Sequence, residues 1–193
     1  MRLEVVARFS TSADRLTGTA GFGFWNHPFP GGRVEAAPNA VWFFFASPPS
    51  LLTPAPGLVG RGWMAGSWNG GSVPGPLLRL GALSLRLPGI RGLAMRAADR
   101  QVQASERVLD GELMRSWHRY TLTWRASEAR FSIDGEEVHA SPSAPRGPLG
   151  FVAWVDNQFA IVEPSGVLRL GHLEIDQLQW LELGEIAIKR LDG

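Results

Sequence analysis

Residues 117–138 read WHRYTLTWRASEARFSIDGEEV, and this stretch decides the fold class of the chain. It contains two segments that alternate apolar and polar side chains, joined by a short polar turn. The second segment leads directly into Asp134-Gly135. Alternation with a period of two is typical of a half-buried β-strand, and Asp-Gly is typical of a tight hairpin turn. The stretch therefore predicts antiparallel β-structure.

The same organisation extends along the rest of the chain. Its 23 Gly and 14 Pro residues divide the sequence into short segments, as expected for strands and turns, and only residues 111–117 suit a single helical turn. Residues 47–60, rich in Pro and Gly, are predicted to form a long loop of the kind that often borders a binding site. About a dozen strands are predicted in all. Outside the opening stretch they lie at residues 3–9, 21–25, 40–46, 61–68, 77–87, 101–108, 149–155, 167–175 and 178–188.

Composition limits the classes of function. The chain of 193 residues, 45% of them hydrophobic, is expected to form one domain, residues 1–193. Its net charge of +1 gives no basic field for nucleic acid, and the absence of Cys removes disulfides, thiolate metal sites and thiol nucleophiles. Residues 1–10 lack the basic start and apolar run of a signal peptide, so none is expected, and no apolar run reaches the roughly 18 residues that a membrane span needs. A cytoplasmic location is expected, although a processed secreted chain would look the same.

Several segments resemble one known family. Trp117, Tyr120 and Trp124 ahead of RFSIDGE resemble a segment of the family 16 glycoside hydrolases and their lectin-like relatives, the concanavalin A-like jelly rolls. Residues 18–29, GTAGFGFWNHPF, are similar to the strand ahead of that family's catalytic motif, and residues 180–190, WLELGEIAIKR, to its closing strand. The resemblance implies an all-β fold, a two-sheet antiparallel jelly-roll sandwich with its core between the sheets.

The resemblance also implies where catalytic carboxylates would stand, and they are missing. Family 16 enzymes carry a Glu-x-Asp-x-x-Glu motif in which the first Glu is the nucleophile and the last the acid/base. The matching strand here reads NAVWFFFAS, and the expected positions fall among Ala40, Trp42, Phe44 and Phe45. A retaining glycosidase needs two carboxyl groups about 5–5.5 Å apart. Glycoside hydrolysis of the family 16 type is therefore not expected.

Residues 174–179, EIDQLQ, form a partial copy of that motif further along the chain. Glu174 and Asp176 match its first two carboxylates, but Gln179 stands at the third position and cannot supply a proton. The segment also follows the Trp117 stretch, whereas in the family it should precede it. We interpret it as the charged outer face of a strand.

The eight Trp residues are the second informative feature. Indole rings stack on sugar faces and also line apolar pockets. For the two Trp residues of the glycine-rich GRGWMAGSWNGG, a core position and a ligand-facing position are both open, since a core strand seldom needs so many glycines whereas a ligand-facing loop can use them. Trp124 and Trp154 are expected in the core between the sheets. Four others fall on or beside strands that line the concave face of the resembling fold: Trp25, Trp42, Trp63 and Trp68.

Polar residues follow two of the apolar strands. Asn26 and His27 end one strand, and His can act as an acid or base near neutral pH, although a His bonded to a loop carbonyl is commoner. Asp156, Asn157 and Gln158 end another; they suit hydrogen bonds to sugar hydroxyls, ligation of a hard cation, or a plain turn. If these two strand ends approach each other, His27 and Asp156 are the candidate catalytic pair.

No metal residue is assigned from the sequence, and no cofactor is expected. His118, His139 and His172 lack metal-ligand spacing. The resembling fold often holds a structural Ca²⁺ on its convex side, for which Glu4 and Glu185 are candidate oxygen donors, but their spacing does not require a metal.

Three functions fit these observations. The first is a non-hydrolytic carbohydrate- or glycoconjugate-binding domain with an open, aromatic-lined concave cleft. The second is an enzyme of isomerase, cyclase or hydratase type, which would enclose a small apolar substrate in the same cleft. The third is a protein-interaction domain with an exposed aromatic patch. For the first function the predicted ligand contacts are Trp25, Asn26, Trp42, Trp63, Trp68, Asn69, Asp156 and Asn157.

Overall fold

A computed structural model describes residues 1–27, 36–71, 102–163 and 168–191. Its strands are β1 (Arg2–Phe9), β2 (Thr19–Trp25), β3 (Asn39–Ala46), β4 (Leu51–Leu52), β5 (Gly62–Asn69), β6 (Gln103–Val108), β7 (His118–Trp124), β8 (Ala129–Ile133), β9 (Glu136–Ser141), β10 (Gly150–Asp156), β11 (Gln158–Val162), β12 (Leu168–His172) and β13 (Leu181–Lys189). One 3-10 helix, Gly111–Arg115, precedes β7. The all-β class and the single helical turn are confirmed. The strand predicted at residues 77–87 lies outside the described residues.

The strands pair into two antiparallel sheets of five and a smaller third sheet. The first sheet has the order β13-β1-β7-β8-β9, and the second has the order β10-β2-β3-β5-β6. In the third sheet, β12-β11-β4, the short β4 runs parallel to β11. The predicted hairpin is confirmed, because Asp134 (φ 51°) and Gly135 (φ 89°) join β8 to β9. Positive φ at both central residues is the conformation that a type I′ turn needs.

The main hydrophobic core lies between the two large sheets. Alternate residues of β1 are buried in it, while the residues between them are more accessible, as the period-two pattern predicts. Aromatic rings fill its centre; Phe43 packs against Tyr120 with ring centroids 5.0 Å apart and against Phe131 at 5.4 Å. The three central strands of the second sheet, β2, β3 and β5, are buried on both faces, because the outer side of the sheet carries a separate apolar cluster.

Two expectations about Trp residues are corrected. The strand predicted at residues 61–68 is confirmed at Gly62–Asn69. Trp63, however, was predicted to contact the ligand, and it is 1% exposed and packs in the core against Phe9 at a centroid distance of 5.3 Å. Trp154 was expected in the core, but it lies on the outer face of the second sheet. Trp124 does pack against the core, and its Nε1 donates to the carbonyl of Pro145 at 2.9 Å.

The connections also differ from the expectations in three places. The predicted loop at residues 47–60 contains β4. Of the polar residues 156–158, Asp156 ends β10 and Gln158 begins β11, so only Asn157 separates the two strands. Residues 174–179 connect β12 to β13 and are not a strand face. There the amide of Gln179 pairs with the backbone of Thr17: its Oε1 accepts from the N–H at 2.6 Å, and its Nε2 donates to the carbonyl at 2.9 Å. The side chain thus replaces a strand partner. No helix in the described ranges has the length and apolarity to cross a bilayer.

Candidate functional site

The outer face of the second sheet carries a cluster of five aromatic side chains, here called the aromatic floor. Trp42 lies at its centre because β3 places its even-numbered residues outward and its odd-numbered ones in the core. Its ring centroid lies 5.2–5.6 Å from the other four. These spacings are typical of favourable aromatic pairs. The other members are Trp25, Phe44, Trp68 and Trp154.

Glycines on neighbouring strands make room for the indoles of the floor. Trp42 is paired in register with Gly23 on one side and Gly66 on the other, and Trp154 is paired with Gly21. A Cβ atom at Gly23 would lie 2.6 Å from the Cβ of Trp42, and one at Gly21 would lie 2.8 Å from the ring of Trp154. Real Cβ atoms do not approach so closely, so the floor requires glycine at these positions.

An open cleft of about 380 Å³ lies over the aromatic floor. Its volume is within the range of small-molecule sites. The third sheet supplies the opposite wall, here called the outer wall. Its lining side chains are Leu52, Phe159, Ala160, Val162 and Leu170. The polar residues that line the cleft are Thr19, His27, Asp156 and Gln158.

Asp156 stands at one end of the cleft in a defined hydrogen-bond network. The hydroxyl of Thr19 accepts from Nε1 of Trp154 at 3.0 Å and donates to Oδ1 of Asp156 at 2.9 Å. The backbone N–H of Gln158 donates to the same Oδ1 at 3.0 Å. Among the described residues, nothing donates to Oδ2. The carboxylate is therefore held through Oδ1, and the described residues leave the hydrogen-bonding capacity of Oδ2 unused.

His27 stands at the opposite end of the cleft, and the predicted acid/base pair is corrected. In the register of β2 with β10, Thr19 pairs with Asp156 and Trp25 pairs with Gly150. The six steps from Thr19 to Trp25 span about 20 Å at 3.3 Å per residue, and His27 lies beyond Trp25. Its ring packs edge-on against that of Trp25, with centroids 4.9 Å apart. The two strand ends do not meet.

The three predicted asparagine contacts do not line the cleft. Asn26 donates through Nδ2 to the carbonyl of Ala37 at 2.8 Å and so joins the end of β2 to the segment that precedes β3. Asn157 donates in the same way to the carbonyl of Leu173 at 2.8 Å. Asn69 donates to a serine hydroxyl beyond β9 at 3.2 Å. Each amide is used to join segments of the fold. Of the predicted contacts, the cleft brings together Trp25, Trp42, Trp68 and Asp156.

The strand expected to carry catalytic carboxylates has apolar side chains at all of the expected positions. Ala40, Trp42 and Phe44 belong to the outer cluster, and Phe45 faces the core. Asp156 is the single carboxylate among the described residues that line the cleft. Retaining hydrolysis requires two carboxyl groups about 5–5.5 Å apart, and this part of the chain does not supply them.

Glu106, which the sequence analysis did not single out, lies on the same sheet face, paired with Gly66. Its Oε1 accepts from the backbone N–H of Gly60 at 2.8 Å and from that of Val59, while Oε2 is buried without a partner among the described residues. Burial raises the pKa of Glu106, and the two backbone hydrogen bonds partly oppose this. Because the carboxyl and the loop that it holds are 46 residues apart, no local pattern reveals the contact.

The two Glu residues considered for calcium are engaged in ion pairs. Glu4 accepts from Arg2 at 2.8 Å, and Glu185 accepts from Arg119 at 2.9 Å. Within the described ranges, no three His, Asp or Glu side chains come together in a way that would hold a metal ion.

Comparison of the sequence with known proteins yields no match, either to a protein family or to a curated protein. The chemistry of the cleft is therefore the basis for a functional proposal. It combines an extended aromatic surface with one carboxylate and few other polar groups.

Proposed function

We propose that this chain is a concanavalin A-like jelly roll that binds a carbohydrate or glycoconjugate in the cleft without hydrolysing it. The observation that carries the proposal is an aromatic floor bordered at one end by hydrogen-bonding groups. Trp154 is half-buried and so retains accessible ring surface beside Thr19 and Asp156, and Trp25, also half-buried, retains it towards the other end of the cleft. A sugar ring has apolar faces and hydroxyl edges, which suit an indole and a carboxylate respectively.

The architecture supports the jelly-roll part of the proposal. Two five-stranded antiparallel sheets enclose one core, and β13, the strand that resembles the family's closing strand, pairs with β1. The apolar outer face of β3 supports binding without hydrolysis, because that face offers no nucleophile and no proton donor.

A second candidate function is the binding of an apolar small molecule in the same cleft. The observation in its favour is the burial of the floor, since Trp42 is 5% exposed and Trp68 is 4% exposed. Hydrocarbon side chains on the outer wall would favour a ligand without hydroxyl groups. Among the described residues that line the cleft, His27 and Asp156 are the candidate acid/base groups, and an enzyme could not use them as a pair because they lie at opposite ends.

Isothermal titration calorimetry tests both candidates. The wild-type chain is titrated with oligosaccharides from β-glucans and galactans, and separately with apolar small molecules. Trp154→Ala removes a half-buried ring of the floor. Trp117→Ala is the matched control, because that indole is 43% exposed beside Arg8 of the first sheet.

Saturable binding of an oligosaccharide that Trp154→Ala loses and Trp117→Ala keeps would support the proposed function. If stacking of a sugar on the indole is worth as much as an aromatic pair, about 0.5–1.5 kcal/mol beyond the buried area, the expected loss of affinity is about two- to tenfold. Binding of apolar compounds alone would establish the second candidate instead. Oligosaccharide binding that both variants retain at wild-type affinity would locate the ligand elsewhere on the protein and overturn the proposed site.

A further inference from the structure

The charge of the cleft is concentrated at one end. Among the described residues that line it there is one carboxylate, that of Asp156, and neither Lys nor Arg. A carboxylate beside apolar rings is costly to desolvate unless the ligand supplies a positive charge. A ligand that covers this end is therefore favoured if it is cationic, and a uronic acid or another anion is disfavoured.

The surroundings of Asp156 also suit a cation. Oδ1 of Asp156 and Nε1 of Trp154 both hydrogen-bond to the Thr19 hydroxyl, at 2.9 and 3.0 Å respectively. These two side chains are therefore separated by a single hydroxyl group. Because the indole N–H donates in the plane of the ring, this carboxylate lies at the edge of the Trp154 ring. A ligand whose cationic group pairs with Oδ2 would therefore have its apolar part beside the aromatic floor.

We infer that the Asp156 end of the cleft is an ammonium subsite and that the ligand is an amino sugar. Its protonated amine would pair with Oδ2 of Asp156, with the sugar ring against Trp154 and the rest of the aromatic floor. This inference rests on the proposed carbohydrate-binding function and specifies the class of glycan. The ring supplies the apolar face, and the amine supplies the counter-charge that a neutral glucan lacks.

Three matched ligands isolate the charge. Short β-1,4-linked oligomers of glucosamine, N-acetylglucosamine and glucose share one backbone and differ at C2 by an ammonium, an acetamide or a hydroxyl group. They are titrated calorimetrically in slightly acidic, low-salt buffer, with choline as a cation that is not a sugar. A charge-assisted hydrogen bond of ordinary strength predicts that the glucosamine oligomer binds about tenfold more tightly than the other two.

Asp156→Asn removes the charge and keeps a side-chain oxygen for Thr19 and Gln158. Its control is Asp110→Asn, because Asp110 accepts from the N–H of Glu112 at 2.9 Å just as Asp156 accepts from Gln158 at 3.0 Å. Asp156→Asn is expected to abolish the preference for the glucosamine oligomer, whereas Asp110→Asn is expected to keep it. The preference should also weaken with added salt, since ions screen charge pairing.

The outcomes separate this inference from the function on which it rests. Equal affinity for the three oligomers, unchanged in Asp156→Asn, would overturn the ammonium subsite and leave carbohydrate binding intact. Choline binding that depends on Asp156, with no oligosaccharide bound, would support the subsite and overturn the amino sugar together with the proposed function. If neither choline nor any oligomer binds, both proposals are wrong.

Discussion

Replacement of Gly23 by Ala tests the packing that creates the aromatic floor. A Cβ atom at this position would lie 2.6 Å from both Cα and Cβ of Trp42, and closer still to the carbonyl oxygen of Val41. These atoms belong to the backbone or adjoin it, so a side-chain rotation cannot relieve the contact. The φ of Gly23, 153°, is also one that L-residues rarely adopt. Strands β2 and β3 would therefore have to move apart.

The expected loss has two contributions. Overpacking costs about 1–3 kcal/mol, and a backbone held in a sparsely populated region costs about 1–3 kcal/mol. We expect Gly23→Ala to lower the free energy of unfolding by about 3 kcal/mol, a large part of the 5–15 kcal/mol typical of whole domains. Gly57→Ala is the control, because Gly57 has a φ of 83° but nothing within 4 Å of the added Cβ. It should lose only about 1 kcal/mol, from backbone strain alone.

Urea unfolding followed by circular dichroism gives both free energies on the same scale. The difference between the two variants, about 2 kcal/mol on these figures, measures the contact with Trp42. If Gly23→Ala is no less stable than Gly57→Ala, the close approach of the two strands is wrong, and so is the role of Gly23 in shaping the floor. Gly66→Ala offers a further check, since its Cβ would lie 2.9 Å from the carbonyl oxygen of Ser105 without a left-handed φ.

Three other measurements test the core and the loop beside the cleft. Tyr120 is the only tyrosine, and its pKa is raised by burial and, to a smaller extent, by the charge of a nearby Asp. Because the folded chain keeps the phenol protonated, the free energy of unfolding should fall as the pH rises above the unfolded pKa of about 10. Ultraviolet absorbance should show tyrosinate only as the chain unfolds. Phe43→Ala, at a site with 0% exposure, should cost about 3–5 kcal/mol in urea unfolding, and a loss below 1 kcal/mol would contradict the core described here. Because burial raises the pKa of Glu106, the charged carboxylate opposes folding at neutral pH. Glu106→Gln still accepts from Val59 and Gly60, so it should be at least as stable as wild type at pH 7 and should lose that advantage at acidic pH, where the wild-type carboxyl is protonated. Glu106→Ala removes the acceptor and should lower the free energy of unfolding by about 1 kcal/mol.

Local pattern was sufficient for most of the strands. Alternation located β1 and the β7–β9 region, and Asp134-Gly135 located the hairpin turn, because these features depend on neighbouring residues alone. The strand β11 was missed for two reasons. Its five residues, QFAIV, do not alternate between apolar and polar side chains, and they come directly after residues that suit a turn. Its pairing with β4 depends on contacts distant in sequence.

It was harder to predict which face of its sheet each Trp side chain occupies, although the sequence contained the information for Trp63 and Trp68. Trp63 and Trp68 are five residues apart, so in a regular strand they must point to opposite faces; the glycines around them also suit a loop, which concealed this. Trp154 could not be placed from the sequence, since β10 is apolar on both faces and its orientation follows from pairing with Gly21. The Thr19–Asp156 contact, 137 residues apart, likewise exists only through register.

The two walls of the cleft are held by very different numbers of backbone pairs. In the floor, β2 and β3 are joined by seven residue pairs, and β3 and β5 by eight. In the outer wall, β4 is joined to β11 by only two residue pairs, Ile161 with Leu51 and Val162 with Leu52. Segments with short ladders open locally at lower free energies than the core. Amide protons along the β4–β11 pair should therefore exchange with deuterated water long before those of β3. A ligand would thus meet one rigid surface and one compliant surface, which lets a single cleft accept chemically related molecules of unequal thickness.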